Sequence, residues 1–149
     1  MSSRLEAMRQ VMAAWAAGDV QAVLDRMHDD IVWHYAAATH PPVRGKEQAR
    51  KLLAVLQRDM HDVVWQVFAS SETDDRLFVE GVDSYTTADG ARVATPYVGV
   101  IEFSGDLITG WRDYVELDVA AAQRRGDESP AHVLELLDRP AVARAGGDG

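Results

Sequence analysis

Apolar residues recur at two spacings along this chain, and the change from one to the other divides it. Leu5, Met8, Met12 and Trp15 stand three or four positions apart, which predicts one face of a helix that Ser2 and Ser3 precede and that ends near Ala17 and Gly18. Asp19 reads as the N-cap of a second, short helix over VQAVLDRM, with Val20, Val23, Leu24 and Met27 as its buried stripe. The β-branched and aromatic run IVWHYAAA predicts a strand from Ile31, with Trp33, Tyr35 and Ala37 on one side and Val32, His34 and Ala36 on the other. Pro41 and Pro42 are expected to end it in an extended loop. After Gly45, KEQARKLLAVLQ predicts a third helix that turns Ala49, Leu52, Leu53 and Leu56 inward.

From about Asp62 the period becomes two. VVWQVFAS, RLFVEGVDSYTT, ARVATPYVGVIEF and LITGWRDYVEL alternate, and short turns with ETDD, ADG and SGD separate them, so a four-stranded antiparallel meander is expected. Helices first and a long sheet afterwards is an α+β pattern, with the helices closing one face of a curved sheet over a cavity. VAAAQRR predicts one more short helix, AHVLELLD a helix over the cavity mouth, and ARAGGDG a disordered tail. The expected organisation is one domain over 1–123 and a C-terminal extension over 124–149.

Composition narrows the function classes. A chain of 149 residues with 47% hydrophobic content fits one core. Net charge of −9 argues against a nucleic-acid surface and against an anionic membrane. Without cysteine there is no disulfide and no thiolate chemistry. No two histidines have ligand spacing on one element, so no metal is implied, and no cofactor is expected. No apolar leader or membrane-length run is visible, and a cytoplasmic location is expected.

The candidate chemistry lies in two acids among apolar neighbours. In LITGWRDYVEL, Asp113 shares a face with Thr109, Trp111 and Val115; in LFVEGVDSY, Asp83 shares one with Leu77, Val79, Gly81 and Tyr85. A buried charge must be paired or pushed toward its neutral form. Such an Asp can also cap a turn or pair with an arginine. Two together, in a poorly hydrated cavity, favour proton transfer, one as acid and one as base. Trp33, Leu77, Val79, Tyr85, Thr95, Tyr97, Trp111 and Val115 form the expected lining, suited to an apolar ligand with one or two oxygens. His40, beside the prolines, is a possible auxiliary at the mouth.

The order of elements, the PPVRG loop and above all YVGVIEFSGDLITGWRDY resemble the limonene-1,2-epoxide hydrolase and SnoaL-like families of the NTF2-like superfamily, over roughly residues 4 to 123. The resemblance implies an NTF2-like cone. It also implies direct attack of water on an epoxide, with Asp113 as base, Asp83 as acid and Tyr35 helping to hold the water. The family's bridging arginine falls at Gly81 and its asparagine at Ala37, so Gly81→Arg and Ala37→Asn are the substitutions expected to restore the set. A cyclase or isomerase of the SnoaL and ketosteroid-isomerase kind, or a non-catalytic binding protein, is the alternative. Phe78, Val82, Val98 and Val100 on the other strand face lead us to expect a homodimer through the sheet.

Overall fold

The computed structural model describes residues 3–147. In chain order the elements are α1 (Arg4–Ala16), α2 (Val20–Asp25), β1 (Met27–His34), β2 (Val43–Arg44), α3 (Gly45–Asp59), β3 (His61–Glu72), β4 (Arg76–Thr86), β5 (Arg92–Ser104), β6 (Leu107–Val115), α4 (Leu117–Arg124), α5 (Ala131–Leu137) and β7 (Ala143–Gly146). Ser3 Oγ accepts from the Glu6 amide and Asp19 Oδ1 from the Ala22 amide, both at 3.0 Å, so side chains satisfy amides that the first turns of α1 and α2 leave free.

One sheet holds all seven strands in the order β2-β1-β6-β5-β4-β3-β7. The meander β3 to β6 is antiparallel as expected, and β1 joins its edge parallel to β6. Bulges between Val67 and Ala69 and between Glu102 and Phe103 bend the long strands. The helices α1 to α3 cover one sheet face, where Met8, Met12 and Leu24 pack with Leu77, Ile101 and Trp111. Burying a side chain of this size contributes about 1.5–3 kcal/mol. The result is the expected α+β cone.

Four local expectations are corrected. Met27, expected on the stripe of α2, opens β1 instead. The first strand ends at His34, not at the prolines, because residues 35–39 turn and the Thr39 and His40 amides both bond to the Ala36 carbonyl. Helix α5 does not cover the cavity mouth. Val133, Leu136 and Leu137 pack on Phe68, Val82 and Ala94, on the outer face of the sheet. Alternation explains the choice: Val82 and Ala94 adjoin the inward-facing Asp83 and Thr95, so they point outward and need cover. ARAGGDG is not a tail over its described part, because 143–146 forms β7, antiparallel to β3. Gly146 has φ 78, and a Cβ there would lie 1.8 Å from the Val63 carbonyl oxygen, so glycine is what lets this strand close on its neighbour. Asp148 and Gly149 lie outside the described residues, as does Ser2. No helix among the described residues is long and apolar enough to cross a membrane.

Candidate active site

Strand register decides which side chains meet. Across β4 and β5, Asp83 stands opposite Thr95 and Gly81 opposite Tyr97; across β5 and β6, Asp113 stands opposite Gly99. Tyr97 therefore lies on the strand between the two acids, facing the same way. Two glycines make room for this arrangement. A Cβ at Gly81 would meet the Tyr97 ring and hydroxyl at 2.9 Å and the Gln66 carbonyl oxygen at 2.1 Å, and one at Gly99 would meet Asp113 Oδ1 at 2.9 Å. Tyr97 lies over the first, and the Asp113 carboxyl leans across the second.

Both carboxyls face a cavity of about 220 Å³ between sheet and helices. The sheet contributes Trp33, Tyr85, Thr95, Tyr97, Trp111 and Val115, as expected, and Tyr35 joins them from the turn after β1. Other expected residues fall elsewhere. Leu77 and Val79 share the inward face but are buried in the helix-packed core, since the cavity occupies only the other end of β4. Gly81 is covered by Tyr97. Ala37 is drawn to the backbone of β6, its amide donating to the Asp113 carbonyl at 2.9 Å, and does not line the cavity. His40 is exposed, with its Nδ1 2.9 Å from Thr39 Oγ1 and its ring 5.5 Å from that of Tyr35, so it buttresses the tyrosine from outside.

The sequence reading missed the helical wall, including Trp15, Leu56, Met60 and Arg124, and also Trp65 of β3. An apolar stripe was the only signal for most of these, and a stripe does not tell whether it meets side chains or a void.

Water is scarce around the acids, and this sets their protonation. Burial, then the nearby Asp113 charge, pushes Asp83 up to about 8. Burial pushes Asp113 up to about 7, against a hydrogen bond from Trp111 Nε1 to its Oδ1 at 2.9 Å that favours the ionised form. Near neutrality the pair thus shares about one proton, and Asp113 is the better site for the charge. Tyr97 is pushed well above its ordinary value by burial and by Asp83, so it stays a neutral phenol. Its oxygen accepts from Trp65 Nε1 at 2.6 Å, which leaves its own proton to give. Thr95 Oγ1 and Trp33 Nε1 are buried without a partner among the described residues. The arrangement offers one oriented base and at least two donors inside an apolar wall.

A family model described as a SnoaL-like domain matches residues 8–111. A comparison with curated proteins returned no match. Among solved structures, an LEH-like epoxide hydrolase of M. tuberculosis is similar at 22% identity and TM-score 0.65, covering 88% of this chain and 89% of that one. A protein of Catenulispora acidiphila with a ketosteroid isomerase-like fold, in complex with trimethylamine, is similar at 22% identity and TM-score 0.71, covering 81% and 93%. A protein of Shewanella putrefaciens assigned as a SnoaL-like polyketide cyclase reaches TM-score 0.74 at 12% identity, covering 85% and 88%. At these identities the likeness to the solved structures is one of fold.

Proposed function

The chain belongs to the SnoaL-like domain family, and from that premise we propose that it is a cofactor-free enzyme moving a proton within a small, largely apolar carbonyl compound. Asp113 takes a proton from the carbon beside the carbonyl, the electron pair passes into the carbonyl oxygen, and Asp83 and Tyr97 donate hydrogen bonds to that oxygen. Returning the proton at another carbon isomerises the substrate; attack by the new enolate on a second carbonyl closes a ring, and the alkoxide so formed takes up the proton held by Asp113. The observation that carries this reading is one cavity holding a carboxyl oriented by Trp111 and a second carboxyl kept protonated by burial.

Epoxide hydrolysis is the second reading, favoured by the likeness to the LEH-like enzyme and by Tyr35 in the lining. It lacks two supports. No side chain fits at Gly81, so no guanidinium can bridge the acids from there, and Ala37 lies outside the cavity, where an asparagine would hold no water. The restoring pair Gly81→Arg and Ala37→Asn is therefore withdrawn.

The test is exchange of α-protons of small cyclic ketones and enones with D2O, followed by NMR, beside diol formation from a cyclic epoxide. Asp113→Asn should keep its fold and lose at least about a hundredfold of the exchange rate, the lower end of what a positioned base contributes. A folded Asp113→Asn protein exchanging as fast as wild type would sink the assignment. Ligand binding with neither exchange nor diol formation would make the domain a binding module.

A further inference from the structure

Tyr85 follows Asp83 by two residues on β4 and shares its inward face. It is buried and lines the cavity. Its oxygen accepts a hydrogen bond from Arg124 Nη2 at 2.6 Å, and the guanidinium carbon lies 5.2 Å from the centre of its ring. Arg124 comes from the last turn of α4 and also pairs with Asp59 at the end of α3. It is the one cationic side chain lining the cavity among the described residues.

The hydrogen-bond inventory of the two tyrosines is the same. A phenol oxygen accepts and its proton donates. At Tyr97 an indole N–H occupies the oxygen, at Tyr85 a guanidinium does, and in neither case does the hydroxyl proton have an acceptor among the described residues. Between them stands the Asp83 and Thr95 pair, where Thr95 Oγ1 is itself buried and unpartnered. Four groups able to donate thus line the same stretch of the cavity wall, and none of the three hydroxyls donates to a protein acceptor among the described residues. Burial outweighs the guanidinium and keeps the Tyr85 phenol raised and neutral, a donor across the working range.

We propose that Tyr85 is a second phenol donor to the ligand's oxygen, held in that role by Arg124 as a positioning residue. The inference rests on the acid and base reading of the same cavity and narrows its ligand: the oxygen lying beside Asp83 is one that carries or gains negative charge, as in an enolate or its stable mimic, a phenolate. The guanidinium polarises the Tyr85 hydroxyl, so the second donor is the stronger of the two on an oxyanion.

The probe is 4-nitrophenol, whose absorbance reports both binding and the ionisation of the bound molecule. Wild type should bind it and raise the ionised fraction above that of the free compound at the same pH. Tyr85→Phe should weaken phenolate binding about tenfold to a hundredfold, as for a hydrogen bond to a charged group, and return the bound probe toward its neutral form. Arg124→Gln should reproduce that loss, and Arg124→Lys, which keeps a cationic donor, should recover at least half of it. Asp59→Asn breaks the ion pair but leaves the Arg124 to Tyr85 bond, so it should change affinity by less than about twofold, the scale of an exposed pair. Phenolate affinity unchanged in Tyr85→Phe, a loss in Asp59→Asn equal to that in Arg124→Gln, or no binding of the probe by wild type would each overturn the proposal. Proton exchange separates it from the reading it rests on. If Tyr85→Phe changes nothing while Asp113→Asn still abolishes exchange, the second donor falls and the base stands; if Tyr85 governs phenolate binding but no variant affects exchange, the base falls alone.

Discussion

Asp83 and Asp113 are acids kept from water with no cation touching either carboxyl, and the sign of the stability effect follows from that. An aspartate in the unfolded chain titrates near about 3.9, so below about pH 4 both acids are protonated in either state. As pH rises toward 7 and 8, the unfolded chain has released these protons while the folded one still holds them. The contribution to stability therefore falls through that window and is flat above about 8. Asp83→Asn, which cannot ionise, should stabilise the fold by about 1–2 kcal/mol at pH 8 and by almost nothing near pH 4, a figure held well under the full linkage value because the amide must itself be buried and Asp83 titrates together with Asp113. Melting curves at the two pH values test this, and an equal gain at both would mean that Asp83 is not a buried acid. The same pair should give kcat/KM a narrow bell, rising as Asp113 ionises and falling as Asp83 does, with the alkaline limb lost in Asp83→Asn. The acids were legible in the sequence because alternation set them among Trp111, Val115 and Tyr85. The bond from Trp65 to Tyr97 was not, since the two meet across three strands whose register only the folded sheet defines.

At the scale of elements, Gly81 shows how a position can carry the site by having no side chain. It lies where β3 bulges toward β4, and Tyr97 fills the space above it. Gly81→Ala puts a methyl against the Gln66 carbonyl and the Tyr97 ring, and should destabilise the fold by about 1–3 kcal/mol, as overpacking does. In a domain of this size that is a fall in Tm of roughly 2–12 °C, read by calorimetry. Because the displaced ring carries a proposed donor, exchange should drop further than stability explains. A Gly81→Ala protein as stable and active as wild type would show that the close approach is not needed. The termini teach a related lesson. The stripe Val133, Leu136 and Leu137 announced that α5 needed a partner, but a stripe does not choose between cavity mouth and outer sheet. The glycines near the end looked like disorder, and Gly146 is instead the residue that lets β7 approach β3.

For the whole molecule, the outer sheet face sets the last expectation. Helix α5 covers Val82, so part of the surface assigned to a second subunit is already filled by the chain itself. What remains is the half toward β6. Phe78 stands opposite Val100 and Val98 opposite Tyr114, with Phe78, Val98 and Tyr114 exposed, and the Glu80–Arg139 and Glu102–Arg112 pairs border them. An apolar centre with a charged rim is the surface that two copies can share about a two-fold axis. Sedimentation at micromolar concentration should show a dimer, and Val98→Asp should give a monomer of 16.4 kDa, while Val55→Asp, at an apolar residue equally exposed on α3, should not. Each chain carries −9, so association brings like charges together. Added salt screens that repulsion and should tighten the dimer, the reverse of an interface held by its rim of ion pairs. A dimer that loosens with salt and ignores Val98→Asp would place the contact elsewhere, and a wild-type monomer would leave Phe78, Val98 and Tyr114 as plain surface.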